Sequence, residues 1–242
     1  MKQFSFLLTI LALRLYGITA RDIIDKMKQH EKYKTSKAII TQTITTSSGK
    51  HRSFTIKFYS DKKNLYMEYL KPARVKGVKI LILNNGDEIW VYFPRTGRTR
   101  KIASHMKKER VMGSTFSYED FSGGEFEENY KAYLLGEEKR NKKMCYKLKL
   151  VPLHSDISYG KLIAWVEKQR FILLEIDYYN KEGEKIKKLT LSDYRKTNDY
   201  LAPYKFVMED LENKGKTVME VKKMEYDVKL PDGIFNVGRL RK

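Results

Sequence analysis

The chain has 242 residues and a single cysteine, Cys145, so no internal disulfide can hold it together. Stability must come from burial, and Cys145, inside the strand-like stretch KMCYKLKLV, reads as a small buried apolar residue. Metal-ligand spacing is missing too: His30, His51, His105 and His154 are scattered, and no second thiolate is available. The sequence has no G-x-S-x-G elbow, no phosphate-binding Walker loop and no dinucleotide fingerprint. Ser104 to Lys107 has the S-x-x-K spacing of some acylating enzymes, but neither companion motif accompanies it. The acidic cluster Glu119, Asp120, Glu125, Glu127 and Glu128 fits no cation loop, and Ser117-x-x-Asp120 is better explained as a helix capping box. No catalytic residue, metal or cofactor is therefore expected.

Long apolar runs are absent after the first twenty residues, so no later membrane-spanning helix is expected. The first twenty differ. Lys2, the apolar run Phe4 to Leu13 and a cleavage site after Ala20 have the layout of a secretory signal peptide. The expected division is a signal at 1–20 and one exported domain at 21–242. Negative charge is also scarce: 49 Lys and Arg face 30 Asp and Glu, for a net charge of +19. Loss of Lys2 and Arg14 with the signal leaves about +17. Such a surplus favours anionic lipid or acidic protein surfaces, and an export signal argues against nucleic acid. The stretch carrying Arg95, Arg98, Arg100, Lys101, Lys107, Lys108 and Arg110 is either a solvated face or a docking patch.

What is present is mostly strand. RDIIDKMKQHEKYK spaces Ile23, Ile24 and Met27 as an amphipathic helix. Beyond it the period is two: KAIITQTITT, RSFTIKFYS, KNLYMEYL, VKILIL, DEIWVYF and RTRKI. Asn85-Gly86 marks a hairpin between the fourth and fifth. The pattern lapses from Ala103 to Glu125, where a short helical lid is expected, and then resumes with ENYKAYLLGEEK, KMCYKLKLVP, GKLIAWVEK, FILLEIDYY, EKIKKLTLSDY, PYKFVMEDL and KTVMEVKKMEYDV. The tail LPDGIFNVGRLRK is expected to tuck Phe235 against the sheet. Strands joined by short turns, without alternating helices or a linker, predict a mainly β protein. Its single curled antiparallel sheet is an incomplete barrel of about 11 strands, with an N-terminal helix and a short helical lid over the concave side.

DEIWVYF puts Trp90 and Tyr92 on one face and Ile89, Val91 and Phe93 on the other, so both faces need apolar cover. A concave apolar wall would draw on Phe54, Ile56, Phe58, Leu65, Met67, Tyr69, Ile80, Ile82, Trp90 and Tyr92. Met112, Phe116 and Phe121 are assigned to the lid, and Trp165 and Met219 to the far side. Which face of each strand is concave is open, because a slip of one residue inverts the set. The aromatic pair Trp90 and Tyr92 is expected to face the ligand.

YLKPARVKGVKILILNNGDEIWVYFPRTGRTRKI followed by VMGSTFSYEDFSGG resembles the LolA-like outer-membrane lipoprotein-sorting family, most clearly over residues 65–124. The resemblance implies a periplasmic carrier, not an enzyme, that shields acyl chains of a lipoprotein or other lipid between inner and outer membrane. An inner-membrane exporter complex and an outer-membrane acceptor would be its partners. In the founding carrier an arginine before the proline helps hold the lid; Lys71 stands there, keeping the charge without the guanidinium fork. An alternative with the same fold is a lipid-binding sensor or accessory domain working with a membrane exporter or signalling partner.

Overall fold

The computed structural model describes residues 17–122 and 126–241. The expected signal segment lies outside the described residues, apart from 17–20. Helix α1 (Ala20–Lys28) opens with a reciprocal cap between Thr19 and Asp22. Its buried stripe is Ala20, Ile23 and Ile24, as the helical spacing indicates.

Thirteen strands follow, two more than the expected number. The first six are β1 (Thr35–Thr45), β2 (His51–Asp61), β3 (Leu65–Lys71), β4 (Lys79–Leu83), β5 (Glu88–Phe93) and β6 (Arg98–Ile102). The second group is β7 (Tyr130–Arg140), β8 (Lys143–Pro152), β9 (Lys161–Glu167), β10 (Ile172–Tyr179), β11 (Lys185–Thr197), β12 (Tyr200–Asp210) and β13 (Gly215–Tyr226). They form one antiparallel sheet in the order β6-β5-β4-β3-β2-β1-β13-β12-β11-β10-β9-β8-β7. The two meanders join where β1 pairs with β13 (Gln42 opposite Met219), which leaves β6 and β7 as unjoined edges of an incomplete barrel.

Strand alternation sorts the side chains. Ala38, Ile40 and Ile44 of β1 point inward and join the main core with Phe58, Ile56 and Phe54 of β2, and the buried Gln42 shares their face. That core continues through Met67, Ile80 and Val91, aligned across β3, β4 and β5. Two smaller clusters lie apart from it. Trp165 packs with Cys145, Ile163, Ile172 and Leu174. Tyr66 and Leu81 pack with Leu240 of the C-terminal tail, joined by Trp90, Tyr92, Ile234 and Phe235. Cys145 is buried and unpaired, and Phe235 packs against the sheet as expected.

The β4–β5 connection is a four-residue turn, with Leu83 opposite Glu88. Asn84, Asn85 and Gly86 all have positive φ, which explains the residue types. Gly86 lies against Ser122, and Asn85 Nδ2 donates to Glu128 Oε2 at 3.0 Å. This turn therefore reaches across to the segment that precedes β7.

Candidate functional site

Residues 103–122, between the edge strand β6 and the segment leading into β7, turn inward over the concave face. Two short 3-10 turns, Ser104–Met106 and Val111–Gly113, precede helix α2 (Tyr118–Phe121). The expected capping box at α2 is present: Ser117 Oγ accepts from Asp120 N, and Asp120 accepts from Ser117 N at 2.7 Å. Val111, Phe116 and Tyr118 are buried in the main core, with Met106, Met112 and Phe121 packed against it. This is a lid that also plugs the fold.

Polar latches hold it down. Thr115 N donates to Thr217 Oγ1 and Thr115 Oγ1 donates to Met208 O, both at 2.9 Å, tying the lid to β13 and β12. Arg110 pairs with the buried Asp210, which also accepts from Asn213 N. Glu119 accepts from the backbone N and the hydroxyl of Ser158. Asp120 accepts from Tyr159 Oη at 2.6 Å and from Lys187 Nζ at 3.1 Å. Burial pushes the Glu119 carboxyl above its ordinary value, against the lowering pull of the Ser158 hydrogen bonds. Burial likewise raises the phenols of Tyr130, Tyr159 and Tyr178, which sit near Asp120.

Between the lid and the second meander lies a cavity of about 730 Å³. Its apolar wall is Leu162, Leu173, Ile176, Leu189 and Phe206, from β9 to β12, with Tyr130, Tyr159 and Tyr178 nearby. Asp87, Lys107, His154 and Asp156 stand at its polar side. Leu173 and Phe206 also line a smaller apolar chamber of about 230 Å³, near Met27 and Tyr33 at the α1 side. A concavity of this size with a few convergent polar groups is the usual form of a small-ligand site.

The cavity does not coincide with the residues chosen from sequence. Phe54, Phe58, Met67 and Tyr69 do face inward, but they are buried in the packed half of the core, where the lid fills the space. Phe116 and Phe121 stack 5.3 Å apart in that plug. Met112 lies beside it in a left-handed conformation (φ 51°). Two expectations are corrected. Trp90 and Tyr92 lie on the outer face beneath the C-terminal tail, because their neighbours Ile89 and Val91 take the inward positions. Trp165 is likewise outside, its indole donating to Glu138 and the Arg140 guanidinium 4.1 Å from its ring centroid.

Lys71 is exposed at the end of β3 and, among the described residues, its ammonium makes no hydrogen bond or ion pair; Arg110 makes the cationic latch. The basic stretch also divides. Arg110 latches the lid, Lys101 pairs with Glu88 over Trp90, Lys107 lines the cavity, and Arg95, Arg98 and Arg100 remain exposed.

The apolar lining residues lie inside strands that the sequence predicts, without a local mark that sets them apart from ordinary core. FILLEIDYY looks apolar on both faces, yet its signal was legible: Glu175 and Asp177 alternate with Ile176 and Tyr178. The two acids point outward, held by Lys188 and Lys185 at 3.0 and 2.7 Å, so Ile176 and Tyr178 point inward.

A family model described as "-like: Uncharacterized protein" matches residues 61–242. A comparison with curated proteins gives no match. Among solved structures, a DUF1329 family protein from Desulfovibrio piger ATCC 29098 is 26% identical, with a TM-score of 0.87 over 91% of this chain and 97% of that one. A domain assigned to outer membrane lipoprotein sorting, from Vibrio parahaemolyticus, is 23% identical, with a TM-score of 0.85 over 91% and 97%. A LolA superfamily protein from Nitrosomonas europaea is 20% identical, with a TM-score of 0.77 over 92% and 99%. The chain belongs to the family of the matching model and shares its fold with the DUF1329, lipoprotein-sorting and LolA superfamily structures.

Proposed function

We propose that this protein is a non-enzymatic carrier that shields acyl chains of a lipoprotein or another lipid while they cross the periplasm from inner to outer membrane. The observation that carries the reading is the cavity of about 730 Å³, walled by Leu162, Leu173, Ile176, Leu189 and Phe206 beneath a latched lid. Each methylene moved from water into such a wall contributes about 0.8 kcal/mol, so a dozen contribute on the order of 10 kcal/mol before the ordering cost. When the lid swings out, the inward residues Phe54, Phe58, Met67 and Tyr69, with Met112, Phe116 and Phe121 on the lid, extend the apolar surface for longer or multiple chains. The structure described for outer membrane lipoprotein sorting and the LolA superfamily structure share the fold and support the same reading.

In this reading residues 1–20 direct export and 21–242 form the carrier. An inner-membrane exporter complex loads it and an outer-membrane acceptor unloads it. The exposed Phe93, with Arg95 and Arg98 beside it, provides a transient foothold on anionic lipid. Native mass spectrometry of the chain purified from its expressing cell tests the reading. Acylated adducts released by organic solvent are expected; an adduct-free protein that also fails to bind an acylated peptide would rule it out.

A further inference from the structure

Two tyrosines of the cavity pack their rings in the core but leave their hydroxyls unused by the fold. Tyr130, at the start of β7, and Tyr178, near the end of β10, both line it, and Tyr178 is only 7% exposed. Among the described residues neither hydroxyl has a hydrogen-bond partner. Neither is among the sealed, unpartnered polar atoms, so both open on the cavity. Other tyrosines nearby are committed: Tyr159 donates to Asp120, and Tyr194 donates to the Leu173 carbonyl. The Tyr178 ring is fixed by Tyr159, 4.9 Å away between centroids. A phenol that opens on a cavity with an apolar wall and has no partner in the fold is a donor available to a ligand's acceptor.

The surroundings restrict that ligand. Four carboxylates line the cavity, Asp87, Glu119, Asp120 and Asp156, and the cationic side chain lining it is Lys107. Lys187 reaches Asp120 but is committed there and to the Tyr159 hydroxyl at 3.0 Å. Glu119 and Asp120 already accept from Ser158, Ser117 and Tyr159. A phosphate placed among these acids would meet like charge, whereas an uncharged carbonyl would not. Burial also keeps both phenols protonated, and so donating, across the physiological range.

We propose that Tyr130 and Tyr178 form a donor shelf for the carbonyl oxygens of an ester- or amide-linked acyl group. The chains would then run along Leu173 and Phe206 toward the smaller chamber, and the carboxylates would select a neutral acyl linkage over a phospholipid headgroup. The inference rests on the carrier reading and sharpens its ligand class.

The test measures binding of three probes to the full chain: a diacylglyceryl peptide, its ether-linked analogue without the carbonyls, and phosphatidylglycerol. The wild type is expected to bind the ester-linked peptide roughly tenfold more tightly than either other probe, the scale of one to two net hydrogen bonds. The Tyr130→Phe, Tyr178→Phe double variant should bind both linkages alike, with thermal melting confirming that it is folded. Equal wild-type binding of ester and ether linkages overturns the shelf and leaves the carrier standing. Tighter binding of phosphatidylglycerol overturns the selection. No binding of any probe overturns the carrier reading and the shelf together.

Discussion

At the scale of single residues, the lid is held by a few polar contacts that side-chain chemistry makes testable. Arg110→Ala leaves the Asp210 carboxylate buried with Asn213 as its remaining donor. Because Arg110 is partly exposed, the expected cost is modest, about 1–3 kcal/mol in urea unfolding. Amide exchange in residues 103–122 should quicken with it. Glu119 makes a pH prediction. Its folded pKa is raised above the ordinary 4.5 by burial, so its stabilising contribution is complete below the unfolded value and is lost as pH rises through the folded one. Glu138, Asp193, Glu220 and Asp227 are held low chiefly by hydrogen bonds and act in the opposite sense, losing stability on acidification. Subtracting the Tm–pH curve of Glu119→Gln from that of wild type isolates the effect. The wild type should lose ground to the variant as pH rises above 4.5, and parallel curves would contradict the assignment.

At the scale of elements, the β4–β5 hairpin ties the first meander to the lid. A Cβ on Gly86 would stand 2.4 Å from Ser122 Cβ, at a φ of 99° that L-residues avoid. Gly86→Ala should therefore cost about 1–3 kcal/mol and loosen residues 118–122, as read by urea unfolding and amide exchange. The C-terminal tail is a second such element. Leu240 is 1% exposed against Tyr66 and Leu81, and Leu240→Ala should cost about 2–3 kcal/mol. Trp90 emission should shift to the red as its cover lifts.

These two elements also show where sequence reading stops. The Asn-Gly signal, the α2 capping box and the alternation of β1 are local, and each was legible. That β5 needs cover on both faces was legible too. Which cover goes where was not, because the outer cover comes from Ile234, Phe235 and Leu240, far along the chain. The aromatic side looked like the ligand side. The inward positions belong to Ile89 and Val91, whose register with Ile82 and Ile80 is set by the neighbouring strands.

At the scale of the whole molecule, the sheet and lid were readable because most strands carry a two-residue period or a short apolar run bounded by turn residues, and the lid is a gap in that pattern. The position of the cavity was not, because it depends on how far the lid inserts. Here the lid fills the concavity beneath β1 to β5 and leaves it open over β9 to β12. The aromatic-rich first meander therefore drew the sequence-based choice, while the second meander lines the open space. Charge is also distributed on this scale: the surface surplus is basic, yet the cavity is ringed by Asp87, Glu119, Asp120 and Asp156. In the proposed carrier, binding to an anionic bilayer and holding the cargo fall to separate surfaces, and raised salt should weaken the first far more than the second.

The most direct measurement is photo-crosslinking of an acylated peptide with a diazirine in its chain, mapped residue by residue by mass spectrometry. Adducts are expected on Leu162, Leu173, Ile176, Leu189 or Phe206. Adducts confined to the outer face at Trp90, Tyr92 or Trp165, or no adduct at saturating peptide, would contradict the carrier reading.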